Sequence, residues 1–257
     1  MEKRKGIPRL DMVNDDLLFG WHPVLEALET GADLQKILLL QGLRNEKSNQ
    51  VLTQAKELEI PVQFVPQQKL DRITRKNHQG IIAFGSPITF ANLEHLTSDL
   101  YDKGIMPRFL AFDGITDVRN FGAICRTAEC FGIDAVIVPS KGMAPINDEA
   151  VKSSSGALLR LPVCRVSHWG QALKFLMDAG IPLIGMTEKA SDLLDKSQFG
   201  SPMCMVLGNE ETGLSPETLR ACDRLVRIPM PGEISSLNVG AAAAIALYIA
   251  STSQLDI

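Results

Sequence analysis

The spacing closest to a known phosphate cradle lies in VLGNEETGLS (206–215), where Gly208 and Gly213 stand five residues apart after an apolar run. A cradle for a nucleoside triphosphate needs a lysine and a hydroxyl residue directly after the second glycine. Leu214 and Ser215 stand there instead, and Glu210 and Glu211 put two carboxylates into the loop. A triphosphate would be repelled, which disfavours ATP or GTP hydrolysis. No G-x-G-x-x-G follows a strand, so the dinucleotide fingerprint is also absent.

Two further segments combine polar side chains with small residues. DGITDVRNFGAICRTAECFG (113–132) carries Asn120 and Arg126. Asn120 is expected as a helix N-cap and Gly132 as the matching C-cap. Ile124, Ala128 and Phe131 fall at i, i+4 and i+7 and make the core-facing stripe. Arg126 is about 200° around the helix from Ile124 and points away from the core. Taken alone, the segment reads as a capped helix with a solvated arginine. IPMPGEISSLNVGAAAA (228–244) starts with Pro229 and Pro231 in a rigid extended turn. Ser235 or Ser236 is expected to cap the following helix, whose Gly240, Ala241 and Ala244 form a face that another backbone can approach. Asn238 would then lie in the first turn, where asparagine is a poor helix former.

A basic cluster occurs near the start of the chain. QQKLDRITRKNHQG (67–80) holds Lys69, Arg72, Arg75 and Lys76 against the single acid Asp71, and ends in Asn77-His78-Gln79-Gly80. Such a cluster suits contacts to phosphate and sugar, although many charge runs are only solvated faces. The net charge of −4 excludes a chain that is basic throughout but not a local basic patch. Five cysteines without a C-x-x-C and four scattered histidines fit reduced cytosolic thiols, not a disulfide framework or a metal centre. MEKRKGIPRL has no apolar stretch behind it, and no run is long enough to span a membrane, so a cytoplasmic protein is expected.

These side chains need a scaffold. Residues 1–17 read as a flexible tail and 18–86 as a small α/β domain. In it HPVLEALETG and EKSNQVLTQAKELEI are helices, and LQKILLL, PVQFV and GIIAF are strands. Residues 87–107 read as a linker with a connecting helix. From 108 to 257 the runs RFLAFD, DAVIVP, LPVCRV, IPLIGM, MCMVLG and RLVRIP alternate with helical stretches such as 120–131 and 168–179. That alternation implies an α/β domain with a parallel sheet covered on both faces and its ligand site at the carboxyl ends of the strands.

In order and spacing, RNFGAICRTAECFG, VLGNEETGLS and IPMPGEISSLNVGAAAAIALY resemble the three signature motifs of the SpoU/TrmH family of RNA 2′-O-ribose methyltransferases. FGWHPVLEAL and HQGIIAF are similar to the start and end of that family's N-terminal substrate-binding domain. The likeness runs from about Phe19 to Ser251. It implies a deep trefoil knot in the C-terminal domain, S-adenosylmethionine as methyl donor without a metal, RNA as substrate, and a homodimer. By motif it assigns Asn120, Arg126, Glu210 and Asn238 to the active site. Gly208, Ile228, Leu237 and, with a weaker match, Thr187 become donor contacts. Lys69, Arg72, Arg75, Lys76 and His78 become RNA contacts. Two roles for Arg126 stay open: general base, the family's usual assignment, or a permanent cation that binds a phosphate and stabilises the forming alkoxide. Glu210 would fix the Arg/Asn geometry or a dimer contact. The added N-terminal domain is similar to that of members modifying a guanosine in 23S rRNA. A transfer-RNA substrate is the alternative, and a non-catalytic RNA-binding or ribosome-assembly protein is the rival of another class.

Overall fold

The structure, a computed structural model, describes residues 17–195, 199–233 and 236–252. The expected tail therefore lies outside the described residues except for Leu17, which begins a strand. Two units are present, 1–87 and 88–257.

The first unit runs β1 (Leu17–Phe19), α1 (Trp21–Glu29), β2 (Leu34–Leu40), α2 (Glu46–Glu57), β3 (Val62–Val65), α3 (Gln67–Ile73) and β4 (Ile81–Gly85). Its sheet order is β1-β4-β2-β3; β4 is antiparallel to both neighbours and β2 is parallel to β3. Period-2 alternation splits the strands between two cores. Ile37, Leu39, Ile81 and Ala83 face α1 and α2, meeting Val24, Leu28, Val51 and Ala55. Leu38, Val65 and Ile82 face Leu70 of α3. A capping box of Asn45 and Ser48 starts α2, each side chain accepting the other residue's backbone N–H.

The second unit begins earlier than the sequence suggests. Phe90–Ala91 forms β5, paired with a strand of the large sheet, and Leu93–Asp102 forms α4, with Leu93 and Leu100 buried in that unit's core. The segment 87–107 is thus built into the second unit, and the linker reading is corrected. Two paired residues carry too little periodicity to register as a strand.

The chain continues through β6 (Arg108–Asp113), α5 (Val118–Cys130), β7 (Ala135–Pro139), α6 (Asp148–Ser153), β8 (Val163–Val166), α7 (Trp169–Asp178), β9 (Leu183–Met186), β10 (Asp192–Leu193), β11 (Met203–Gly208), α8 (Pro216–Ala221), β12 (Arg224–Arg227) and α9 (Val239–Thr252). The eight strands form one parallel sheet, β10-β12-β9-β11-β6-β7-β8-β5. Leu110, Phe112, Met205 and Leu207 pack on α5 and α9, whereas Phe109, Ala111, Cys204 and Val206 pack beneath α4 and α7. Burial on both faces explains why these strands read as unbroken apolar runs.

Helix α5 is seated by Phe121, which meets Phe112 of β6 edge-on at 5.3 Å between ring centroids, and both rings are fully buried. Each contributes roughly 1.5–3 kcal/mol by burial, enough to fix the helix that carries Asn120. Helix α9 lays Ala243, Ala246, Leu247 and Ala250 into the same core. Its buried small stripe is therefore not the Gly240, Ala241 and Ala244 face expected from sequence. Among the described residues no helix is long and apolar enough to cross a membrane.

Candidate active site

Strands β6 and β11 are neighbours although far apart in sequence, and the chain runs to opposite sides of the sheet from this pair. In parallel sheets the crevice beyond such a switch point is where ligands collect. The loops leaving these strands are bound together at three places. Ser215 N donates to Asp113 Oδ2 at 2.6 Å, Asn209 Nδ2 to the Gly114 carbonyl at 2.7 Å, and Thr116 N to Glu210 Oε2 at 3.5 Å. The β11 loop also closes on itself. Asn209 and Gly213 exchange backbone hydrogen bonds, with Gly213 at a φ of +72°, and Asn209 Oδ1 accepts from Glu211 N and Thr212 N. A Cβ on Gly208 would run into the Gly213 carbonyl carbon and the Leu214 nitrogen. Glycine is needed at 208 because the loop returns across it.

A cavity of about 450 Å³ opens over these loops, also bounded by residues 186–188 after β9, 226–230 after β12, and the start of α9. Gly208, Ile228, Leu237, Thr187, Asn120, Glu210 and Asn238, all singled out from sequence, line it. Ser236 lines it too, with Asn209 and Met186, which sequence reading passed over. Asn209 could have been found as the residue after the strand whose side chain must hold the five-residue reversal 209–213 closed.

Three of these side chains form a directed chain. Asn238 Oδ1 accepts the N–H groups of Gly240 (2.9 Å) and Ala241 (3.4 Å), so Asn238 is the N-cap of α9. This corrects its expected place inside the first turn; Ser235, one of the two expected caps, lies outside the described residues. With its oxygen committed, Asn238 turns Nδ2 to Asn120 Oδ1 at 3.2 Å, and Asn120 Nδ2 then donates to Glu210 Oε1 at 3.3 Å. Asn120 is not the cap of α5. Asp117 is, accepting from Asn120 N at 2.8 Å, so the Asn120 side chain is free to join the chain. Gly132 follows the last residues of α5 in the left-handed region, as a terminating glycine should.

Arg126 is exposed on α5, six residues and so roughly 9 Å of helix axis beyond Asn120. It does not line the cavity, and among the described residues it has no hydrogen bond or ion pair. The four candidate catalytic residues are therefore three together and one apart.

In the first unit Lys69, Arg72, Arg75 and Lys76 are exposed on and just after α3. His78 is buried: Nε2 lies 2.9 Å from Asp71 Oδ1, and Nδ1 accepts the Gly80 N–H at 3.0 Å. With both ring nitrogens engaged, His78 holds the 74–80 turn, and its expected RNA contact is corrected to an internal one.

The five cysteines are free thiols. Burial pushes Cys125 and Cys204 well above the ordinary thiol range and Cys222 up to about 12, so none of these three is a thiolate nucleophile near neutrality. No group of three His, Cys, Asp or Glu side chains able to hold a metal occurs among the described residues.

Comparison with known proteins decides the family. The SpoU rRNA Methylase family model matches residues 107–248, the unit that contains this cavity. The chain belongs to the SpoU rRNA methylase family. A second model, for RNA 2′-O ribose methyltransferase substrate binding, matches residues 17–91 of this SpoU-family chain. A Staphylococcus haemolyticus protein assigned to the TrmH family of tRNA/rRNA methyltransferases is 32% identical over 92% of this chain and 95% of its own length. Among solved structures, the SpoU methyltransferase AviRb from Streptomyces viridochromogenes, in complex with the cofactor AdoMet, has a TM-score of 0.58. It is 25% identical, over 94% of this chain and 91% of that one. An AdoMet-bound rRNA methyltransferase from Sinorhizobium meliloti shares the fold at a TM-score of 0.56 and 24% identity, over 94% and 88% of the two chains. This SpoU-family chain is an RNA methyltransferase.

Proposed function

We propose that the protein transfers a methyl group from S-adenosylmethionine to the ribose 2′-hydroxyl of a guanosine in large-subunit ribosomal RNA, in the cytoplasm. The observation that carries this is the convergence of three distant segments, around 120, 208–213 and 236–242, on one cavity. Its volume is in the range for a cofactor-sized molecule. Its lining fits the donor in charge as well: Glu188, Glu210 and Glu211 oppose the single Arg227, which suits a ligand of net positive charge and not a polyphosphate. Met186, Leu207, Ile228 and Leu237 offer apolar walls, and Thr187 and Gly208 line the cavity beside them.

Bound there, S-adenosylmethionine supplies a methyl group made electrophilic by its sulfonium. The protein's task is alignment and charge stabilisation. Asn120 and Asn238 hold the ribose, their amide orientations set by Glu210 at one end and the α9 backbone at the other. Because a guanidinium is a permanent cation in proteins, of the two roles the sequence left open for Arg126 we favour the second. It grips the adjacent phosphate and stabilises the alkoxide that forms as the hydroxyl proton passes to solvent or phosphate.

Since Arg126 lies outside the cavity of its own chain, we propose that it serves the cavity of a second copy in a homodimer. Ala241, Ile245 (38% exposed) and Tyr248 (58% exposed) follow one another at i, i+4 and i+7 along the outer side of α9, an apolar stripe suited to that contact. The trefoil knot belongs to the same proposal, supported by the return of 228–230 and 236–242 beside the β9 and β11 loops. A transfer-RNA substrate is the second reading, favoured by the tRNA/rRNA naming of the staphylococcal relatives. Nucleoside mass spectrometry of ribosomal and transfer RNA from cells with and without the gene tests both. Loss of one 2′-O-methylated guanosine from large-subunit RNA is expected; loss from transfer RNA supports the second reading, and unchanged ribose methylation in both overturns the proposal.

A further inference from the structure

The face of the first unit's sheet that carries α3 is only partly covered. Register puts Leu17, Phe84 and Lys36 in one row across β1, β4 and β2, and Phe19, Ile82 and Leu38 in the next. Helix α3 closes over Leu38, Ile82 and Val65 through Leu70, leaving Phe19, Phe84 and Leu17 partly exposed at its edge. The two phenylalanines are diagonal neighbours across an antiparallel pair, roughly 7–8 Å apart. Above each ring sits an ammonium: Lys36 Nζ lies 4.7 Å from the Phe84 centroid and Lys76 Nζ 5.2 Å from that of Phe19. Neither lysine has a carboxylate partner among the described residues, and Asp71, the one acid of the 67–80 cluster, is taken by His78. Burial, and then the nearby Lys69 ammonium, holds Lys36 below the ordinary lysine range. Among the described residues these like charges are gathered without a carboxylate counter-ion.

Rings partly open to solvent, each beneath a long flexible cation, match the chemistry that binds unpaired nucleotides, in which bases stack on aromatic faces and lysines take the phosphates. We propose that Phe19 and Phe84 form a stacking platform for two unpaired nucleotides of the RNA substrate, with Lys36 and Lys76 swinging from the rings to the flanking phosphates. The exchange conserves contacts: each ammonium trades a ring face for a phosphate as a base takes its place. Lys69, Arg72 and Arg75 continue the basic surface along and beyond α3. The proposal rests on the methyltransferase reading for the identity of the ligand as RNA. It adds that the first unit selects single-stranded RNA, and it names two aromatic residues that a charge count overlooks.

The test uses the full chain with a labelled oligouridylate and a labelled blunt-ended RNA duplex, read by fluorescence anisotropy at one salt concentration. Wild type is expected to prefer the oligouridylate. The Phe19→Leu/Phe84→Leu double variant keeps apolar side chains but not the rings and should bind it about tenfold more weakly, with duplex affinity little changed. The Phe84→Tyr variant should retain binding, and an unchanged thermal midpoint in the leucine variant excludes a folding defect. Lys36→Gln should weaken both ligands and flatten the salt dependence. A double leucine variant that binds oligouridylate as wild type does, or a wild type that prefers duplex, overturns the platform even if ribose methylation is intact. Absent methylation by a wild type that retains its single-strand preference would overturn the methyltransferase reading and leave the platform standing.

Discussion

At the scale of single residues the site is governed by which atom of each amide is already committed. Asn238 spends its oxygen on capping α9 and so must present its nitrogen to Asn120, which must then present its own to Glu210. Asn238→Asp keeps the cap but sets a carboxylate against Asn120. Whichever way Asn120 turns, one of its neighbours then meets oxygen with oxygen. The thermal midpoint should hold while turnover falls about tenfold, the cost of one mispaired hydrogen bond at the exposed rim of the site. Asn238→Ala should also lose about 1 kcal/mol of stability, as cap removal does, visible as a lower denaturation midpoint. Arg126→Ala should reduce turnover by roughly 10²–10³-fold, the range for loss of a group that stabilises developing charge, while calorimetric affinity for S-adenosylmethionine stays unchanged. Equal loss of both would place Arg126 with the donor instead. His78 is the residue where type and context diverged: a histidine beside arginines suggests an RNA contact, but its two nitrogens are consumed by Asp71 and Gly80.

At the scale of elements, the rigid parts are those with strong periodicity, and they are also the parts legible in the sequence. The six runs of the second half all became parallel strands, five of them because burial on both faces demands continuous hydrophobicity, whereas the sixth, β12, buries only Val226. Helices α5 and α7 lie within two residues of their expected limits. What could not be read were pairings of two residues, β5 and β10, and the choice among neighbouring polar residues for a cap. Asp117 took the cap expected of Asn120 because the chain turns three residues earlier, where Asp113 and Gly114 are held by the β11 loop. That loop gives a sharp prediction. Gly208→Ala places a methyl group against the backbone of Gly213 and Leu214, so the loop must move. Overpacking of this kind costs about 1–3 kcal/mol. The denaturation midpoint should drop, and donor affinity should fall by at least tenfold because the cavity floor moves with the loop.

At the scale of the whole molecule, one chain holds the cavity and, away from it, an arginine without a hydrogen bond or ion pair among the described residues. Helical spacing already turned Arg126 away from the core, but motif order carries no information about which copy of the chain supplies which group. If the apolar stripe of α9 is the contact between copies, Ile245→Asp/Tyr248→Asp should yield monomers in sedimentation and abolish methylation, with folding retained because both side chains are already exposed. The most direct measurement mixes two inactive variants, Arg126→Ala and the cavity-blocking Gly208→Val, after co-refolding so that subunits exchange. With the donor in one chain's cavity and the guanidinium from the other, mixed dimers contain one intact site, and methyl transfer to RNA should return to about a quarter of wild type for random pairing with one working site in half of the dimers. No recovery from a mixture proven to contain mixed dimers would contradict the shared site.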